Sequence, residues 1–296
     1  MQAIRTFWKN NWVGYFFLSP WLIGLICLSA FPMAFSLYLS FTQYDMFTSP
    51  NWIGLGNFTE MFQDRKYLNS IEVTIKYVLI GVPLQLTFAL CIALLLNRGL
   101  RGLRVYRAVY YVPSLFGGSV AIAILWRQLF GGEGLVNEFL ASFGIEGKNW
   151  VSTPDTALYT LIILAIWQFG ASMVIFLAGL KQIPTELYES AKIDGAGRVR
   201  QFRSITFPLL TPIIFFNLVM QIISAFQAFT PAFIVSGGNG GPLDSTLFYT
   251  LYLYQKGFTH FQMGFASAMA WLLLLTIAFI TALIFVTSGR WVYYQE

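Results

Sequence analysis

Long apolar runs alternate with short polar connections along this chain. Six of the runs, at about 14–40, 71–96, 108–130, 157–180, 208–235 and 263–288, reach the ~20 residues a helix needs to cross the ~30 Å hydrocarbon layer of a membrane. The pattern predicts six spanning helices with no separate soluble domain. Three outer connections are expected at about 42–69, 131–156 and 236–262, with shorter ones on the opposite side at 97–107 and 181–207. The first run extends from Tyr15 to beyond Phe35 with no small-residue cleavage site before polar sequence, so it is expected to remain as an anchor.

A polar island separates the fourth and fifth runs. Pro184 disfavours a helical Ile183, Thr185 is placed to cap a new turn, and Glu186 and Glu189 put negative charge near the positive end of that helix. Asp194-Gly195 is the expected stop, because Gly tolerates the left-handed conformation that ends helices. A second, basic segment from Gly197 to Phe207 carries Arg198, Arg200 and Arg203, and the fifth span is expected to begin at Pro208. Leu187, Tyr188 and Ala191 offer a compact apolar contact, while Glu186 and Glu189 offer carboxylates to Arg forks on a partner.

Composition agrees with a membrane protein: 57% of the 296 residues are hydrophobic and 10% charged, against the ~25% charged of soluble domains. The 18% aromatic content suits interfacial belts, and Trp8, Trp12, Trp52, Trp126, Trp150 and Trp291 all fall near span ends or in connections. Charge sets the orientation. Twelve of the 18 Lys and Arg (Arg5, Lys9, Arg98, Arg101, Arg104, Arg107, Lys181, Lys192, Arg198, Arg200, Arg203, Arg290) lie on the side that holds both termini, which is therefore expected to be cytosolic. The net charge of +5 follows from this topology rather than from nucleic-acid binding.

Polar residues inside the spans mark a candidate solute path. Asn217, Gln221, Ser224 and Gln227, spaced by four, three and three, fall within about a third of the circumference of the fifth helix. Amides are expensive in lipid and should face the interior. Gln168 and Ser172 of the fourth span are placed to face them, and Trp167, Phe226 and Phe229 to stack on the apolar face of a sugar. The same stripe is also the pattern of interhelical hydrogen bonds that hold a bundle together. Arg127 and Lys76, near outer span ends, are expected to snorkel, and Cys27 and Cys91 to pack as small core residues. Gly117-Gly118 is read as a close-packing point. No catalytic or metal-ligating constellation occurs: His260 is the single histidine, and there is no Gly-x-x-x-x-Gly-Lys-Ser/Thr loop to cradle nucleotide phosphates.

The order Glu189-Ser190-Ala191, then Asp194-Gly195-Ala196, Phe202, Pro208 and Pro212 resembles the "EAA" loop of binding-protein-dependent ABC transporter permeases, with Ser190 replacing the usual first Ala. Motifs along the rest of the chain are similar to the first permease subunit of maltose- and lactose-type carbohydrate importers. They include Leu18-Ser19-Pro20, Phe31-Pro32, Ser40-Phe41-Thr42, Trp52-Ile53-Gly54-Leu55-Gly56-Asn57-Phe58, Tyr111-Val112-Pro113, Gly237-Gly238-Asn239-Gly240-Gly241-Pro242 and Arg290-Trp291-Val292-Tyr293-Tyr294. The resemblance does not extend to the large outer domain and extra N-terminal spans of the maltose version.

The resemblance implies an all-α membrane protein of six transmembrane helices, one permease domain over 1–296, with a cytosolic coupling loop at 181–207. It implies a bacterial cytoplasmic-membrane location, a second homologous permease, two cytosolic ATPases that carry ATP and Mg, and an extracytoplasmic solute-binding protein. No cofactor is expected on this chain. The cargo would be a sugar, with an oligosaccharide favoured over a monosaccharide. Glu186, Leu187, Tyr188, Glu189, Ala191, Asp194 and Gly195 would meet the ATPase, with Glu189 the ion-pair acceptor and Gly195 the turn. The alternative is an ion-coupled secondary carrier, for which midplane carboxylates would be expected and amides are found instead.

Overall fold

The computed structural model describes residues 2–97 and 102–293, with side chains from Trp12 onward. Arg98, Arg101 and Tyr294 lie outside the described residues, as do the side chains of Arg5, Trp8 and Lys9. The described residues are almost entirely helical and form two compact units, Met1–Gln63 with Tyr254–Leu272, and Asp64–Leu253 with Leu273–Glu296.

In the first unit, α1 (Gln2–Leu25) passes through a π-turn at Ile26–Ala30 into α2 (Phe31–Ser40). The π-turn comes just before Pro32, whose ring nitrogen has no hydrogen to give the helix ladder. A two-residue antiparallel pair, β1 (Thr42–Gln43) with β2 (Asn51–Trp52), leads to α3 (Gly56–Gln63). The buried Asn57 closes this corner: its Nδ2 donates to the carbonyls of Ser40 and Thr42 at 2.8 and 2.9 Å. Phe41 lies 5.6 Å from both the Trp52 and the Phe58 rings. Two separated motifs of the sequence, Ser40-Phe41-Thr42 and Trp52 to Phe58, are thus one clasp.

The second unit is built around α4 (Arg65–Leu96), a 32-residue helix that Pro83 leaves unbroken. It starts earlier than the expected 71 because Asp64 caps it, accepting from the amides of Lys66 and Tyr67 at 2.9 and 3.4 Å. Then follow α5 (Leu103–Phe116), α6 (Val120–Leu129), the short α7 (Leu135–Ala141), α8 (Pro154–Trp167), α9 (Gly170–Leu180) and α10 (Thr185–Ile193). The chain continues through α11 (Arg198–Gln201), α12 (Phe207–Phe226), α13 (Thr230–Ser236), α14 (Tyr249–Tyr254) and α15 (Met263–Ser288), of which Tyr254 and Met263–Leu272 belong to the first unit. α4 packs on α8, α9 and α12 and buries residues along its whole length, from Tyr67 to Leu96.

Among the described residues four helices are long and apolar enough to cross a membrane unbroken: Trp12–Ser40, Arg65–Leu96, Arg198–Phe226 and Met263–Ser288. The third and fourth expected spans are bent pairs, which brings the number of spans to six when each pair counts as one. α5 and α6 meet at 98°, α8 and α9 at 41°. At the first break, Gly117-Gly118 gives way to Ser119, whose Oγ accepts from Ile122 N at 3.3 Å and starts a new helix. The fifth span is also shifted. It runs unbroken from Arg198 through a π-turn at Phe202–Thr206 and ends at Phe226, so the basic limb of the hairpin is the first turns of the span itself. Cys27 and Cys91 are exposed rather than packed in a core. A helix that is apolar all round carries no period to say which face is covered.

Candidate functional site

The polar island folds as an exposed helix with a defined stop. Thr185 is the first residue of α10 and does not cap it; Pro184 stands at the cap position, and no side chain closes that end. At the other end Gly195 has φ +74°, Gly195 N donates to Lys192 O at 3.0 Å and Ala196 N to Ala191 O at 2.8 Å. That pair of bonds is a Schellman closure, the arrangement expected for Asp194-Gly195. The Ala196 carbonyl then accepts from Gln201 Nε2 at 2.8 Å, which fixes the turn to the start of the next helix.

None of the residues of α10 is buried. Glu186, Leu187, Glu189, Asp194 and Gly195 are exposed, and among the described residues neither glutamate has an ion-pair partner. Tyr188 and Ala191 are half-buried and turned toward the chain. The Tyr188 hydroxyl hydrogen-bonds Thr206 Oγ1 at 2.9 Å, which ties α10 to the π-turn at the foot of α12. The apolar surface that the hairpin shows is therefore Leu187 together with Ile193 and Val199, the last two 87% and 82% exposed. Ile193 and Val199 escaped the sequence reading because their neighbours are charged.

The second feature is a cleft of about 380 Å³ among α4, α8, α12 and the segment after α12. Gln221, Ser224 and Gln227 line it from α12 and its C-terminal end, Gln168 from the end of α8, and Phe229 from the segment that follows α12. No charged side chain does. Two residues not singled out in the sequence complete the wall, Gln85 and Tyr77 of α4. Gln85 carries the same signal as the others, an amide in a long apolar run, but stands without a stripe.

The remaining expected members lie off the cleft. Asn217 is 2% exposed and donates from Nδ2 to Ile213 O of its own helix at 3.1 Å. Ser172 is buried and its Oγ accepts from Gln221 Nε2 at 3.0 Å, so Gln221 both borders the cleft and joins α12 to α9. Trp167 packs on Trp126 with ring centres 5.9 Å apart, and Phe226 is buried beside a separate, smaller cavity with Tyr67 and Tyr249. Arg127 is exposed, and Lys76 pairs with Glu72 on an exposed face of α4.

The chain is thus a multi-pass membrane protein with an uncharged polar cleft and an exposed helix tied to the foot of a helix that lines it. The chain belongs to the family of binding-protein-dependent transport system inner membrane components, which it matches over residues 53–294. It is 56% identical to the probable ABC transporter permease protein YesP of Bacillus subtilis, over 100% of this chain and 96% of that one. It is 32% identical to the sn-glycerol-3-phosphate transport system permease protein UgpA of Shigella flexneri, over 96% of this chain and 97% of that one. With the probable starch degradation products transport system permease protein AmyD of Thermoanaerobacterium thermosulfurigenes it shares 31% identity, over 98% and 99% of the two chains. Its fold is that of a chain in the crystal structure of a bacterial alginate ABC transporter in complex with a pentasaccharide-bound periplasmic protein. The TM-score is 0.82 at 22% identity, covering 96% of each chain.

Proposed function

We propose that this chain is one of two permeases of an ATP-driven importer that carries a sugar, an oligosaccharide above all, across a bacterial cytoplasmic membrane. The whole chain acts as one permease domain with its coupling loop at 181–207, both termini in the cytosol. A second homologous permease closes the other side of the path, and an extracytoplasmic binding protein delivers the solute. Two cytosolic ATPases hold ATP and Mg; this chain supplies no catalytic group.

The observation that carries the reading is the chemistry of the cleft at the end of α12 remote from the coupling helix. Gln85, Gln221, Gln227 and Ser224 present neutral donors and acceptors, and Tyr77 and Phe229 present rings, while the Gln168 amide at the edge of the wall is taken up by the Gly117 carbonyl. Such a wall matches hydroxyl groups and the apolar faces of pyranose rings, and holds no cation for an obligate phosphate. The relatedness to AmyD points the same way. On this reading Glu186, Leu187, Glu189 and Asp194 meet the ATPase, Gly195 shapes the turn, and Tyr188 and Ala191 set the helix against the chain behind it.

The test is uptake by proteoliposomes containing the four-subunit complex with its binding protein. ATP-dependent accumulation of labelled oligosaccharides, unaffected by ionophores, is the expected result. Accumulation of sn-glycerol 3-phosphate with no sugar uptake would overturn the cargo assignment, and uptake driven by an ion gradient without ATP would restore the secondary-carrier alternative.

A further inference from the structure

The two bent spans break side by side at the cleft. Gly117 and Gly118 border it from one break and Gln168 from the other. The Gln168 side chain crosses the gap: Nε2 donates to Gly117 O at 3.0 Å, a carbonyl at a helix end that has no partner in its own helix. Gly117 has φ −58° and ψ −31°, ordinary right-handed values open to any residue. What requires glycine there is room, since a Cβ would overlap the Gln168 amide. The Gln168 carbonyl in turn accepts from Gln85 Nε2 of the unbroken α4 at 3.4 Å.

On the α10 side of this level, α9 packs closely on α5. A Cβ on Gly170 would overlap the Tyr110 carbonyl, so the two backbones touch. α9 runs through only 181–184 into α10. On the far side α6 packs on α13, and Trp126 Nε1 of α6 donates to Thr160 O of α8 at 2.8 Å. Each bent span thus has one half bound toward the coupling helix and the other half bound away from it, while α8 and α9 both also lie against the unbroken α4, past which α9 has to move.

We propose that Gln168 is a positioning residue that latches two paired hinges, Gly117–Ser119 and Gln168–Phe169, so that α5 and α9 swing together with α10 while α6 and α8 stay with the far half. This rests on the reading of the chain as a permease driven through α10. With the latch closed, a shift of α10 moves both hinges in step and alters the cleft wall; with it open, the hinges move independently and the shift is dissipated.

The latch is tested with spin labels at Leu125 of α6 and Val174 of α9, both exposed, in the assembled complex in nanodiscs on a Cys27→Ser, Cys91→Ser background. Gln168→Met keeps the length and loses the donor; Gly117→Ala fills the space the amide occupies. Each is expected to raise a second distance population ~5-fold, the worth of one lost hydrogen bond. Gly117→Ala with Gln168→Ala, which leaves no side chain for the new methyl to meet, should do no more than Gln168→Ala alone. An unchanged distribution in Gln168→Met, or a multiplicative effect in the double variant, overturns the latch. In the same complexes, binding-protein-stimulated ATPase should fall relative to the basal rate with the KM for the loaded binding protein unchanged; a change confined to KM would make Gln168 a solute ligand and not a latch. Because the distance measurement needs no cargo, it stands or falls separately from the cargo assignment.

Discussion

Gly195→Val isolates the backbone requirement of the coupling turn. A Cβ at this position meets no atom within 4 Å, so the substitution introduces no clash and its whole cost is conformational. At φ +74° an ordinary L-residue pays about 1–2 kcal/mol, and a β-branched one more. Escaping that strain means giving up the two closing bonds, Gly195 N to Lys192 O and Ala196 N to Ala191 O, each worth ~0.5–1.5 kcal/mol. Either route costs about 2 kcal/mol, or more than tenfold in the population of the closed turn. Helix α10 is poorly able to absorb this, because it has nine residues and buries none of them. The assay pairs hydrogen exchange at the amides of 195 and 196 with co-purification of the ATPase by tagged permease. Valine should speed exchange by about thirtyfold and weaken capture, whereas Gly195→Asn, which tolerates the left-handed region, should lie near wild type. Equal loss with Asn and Val, or full protection and capture with Val, would refute the reasoning.

Glu189→Lys should abolish stimulation of the ATPase while leaving the thermal midpoint of the permease alone, since the carboxylate is exposed and has no ion pair among the described residues; unchanged stimulation would show that it meets no partner charge. Tyr188→Phe removes the 2.9 Å bond to Thr206, so it should loosen α10 by ~0.5–1.5 kcal/mol, read as faster exchange of the α10 amides with the rest of the chain unaffected. The fifth-span stripe should split in two. Gln227→Ala should lower uptake without lowering the thermal midpoint, and the buried Asn217→Ala should do the reverse; thiol labelling of cysteines at the two positions gives the same division, with 227 reactive and 217 silent.

The fifth-span stripe shows where local reading stops. Helical spacing put Asn217, Gln221, Ser224 and Gln227 on one face correctly, but a helix face wide enough for four residues touches more than one neighbour. Its start lies against its own backbone and α9, and only its end opens on the cleft. Gln85 was hidden for the converse reason: a single amide has no period. The break at Gly117 was also hidden, because its backbone is ordinary and only the arrival of Gln168 from another span makes the glycine necessary.

By itself the sequence determined that the chain crosses a membrane several times, roughly where, and that a short charged helix ending at Gly195 interrupts the spans. Those outcomes depend on apolar content summed over windows of ~20 residues and on turn chemistry within a few residues, and both are local properties. The tertiary structure decided which spans bend, which amides share a cleft and which faces of the apolar helices are covered, placing Cys27 and Cys91 outside and Met173 and Phe176 within. Lipid and protein interior are equally apolar, so hydrophobicity does not separate a covered face from a lipid-facing one; the shape of the neighbouring helices does.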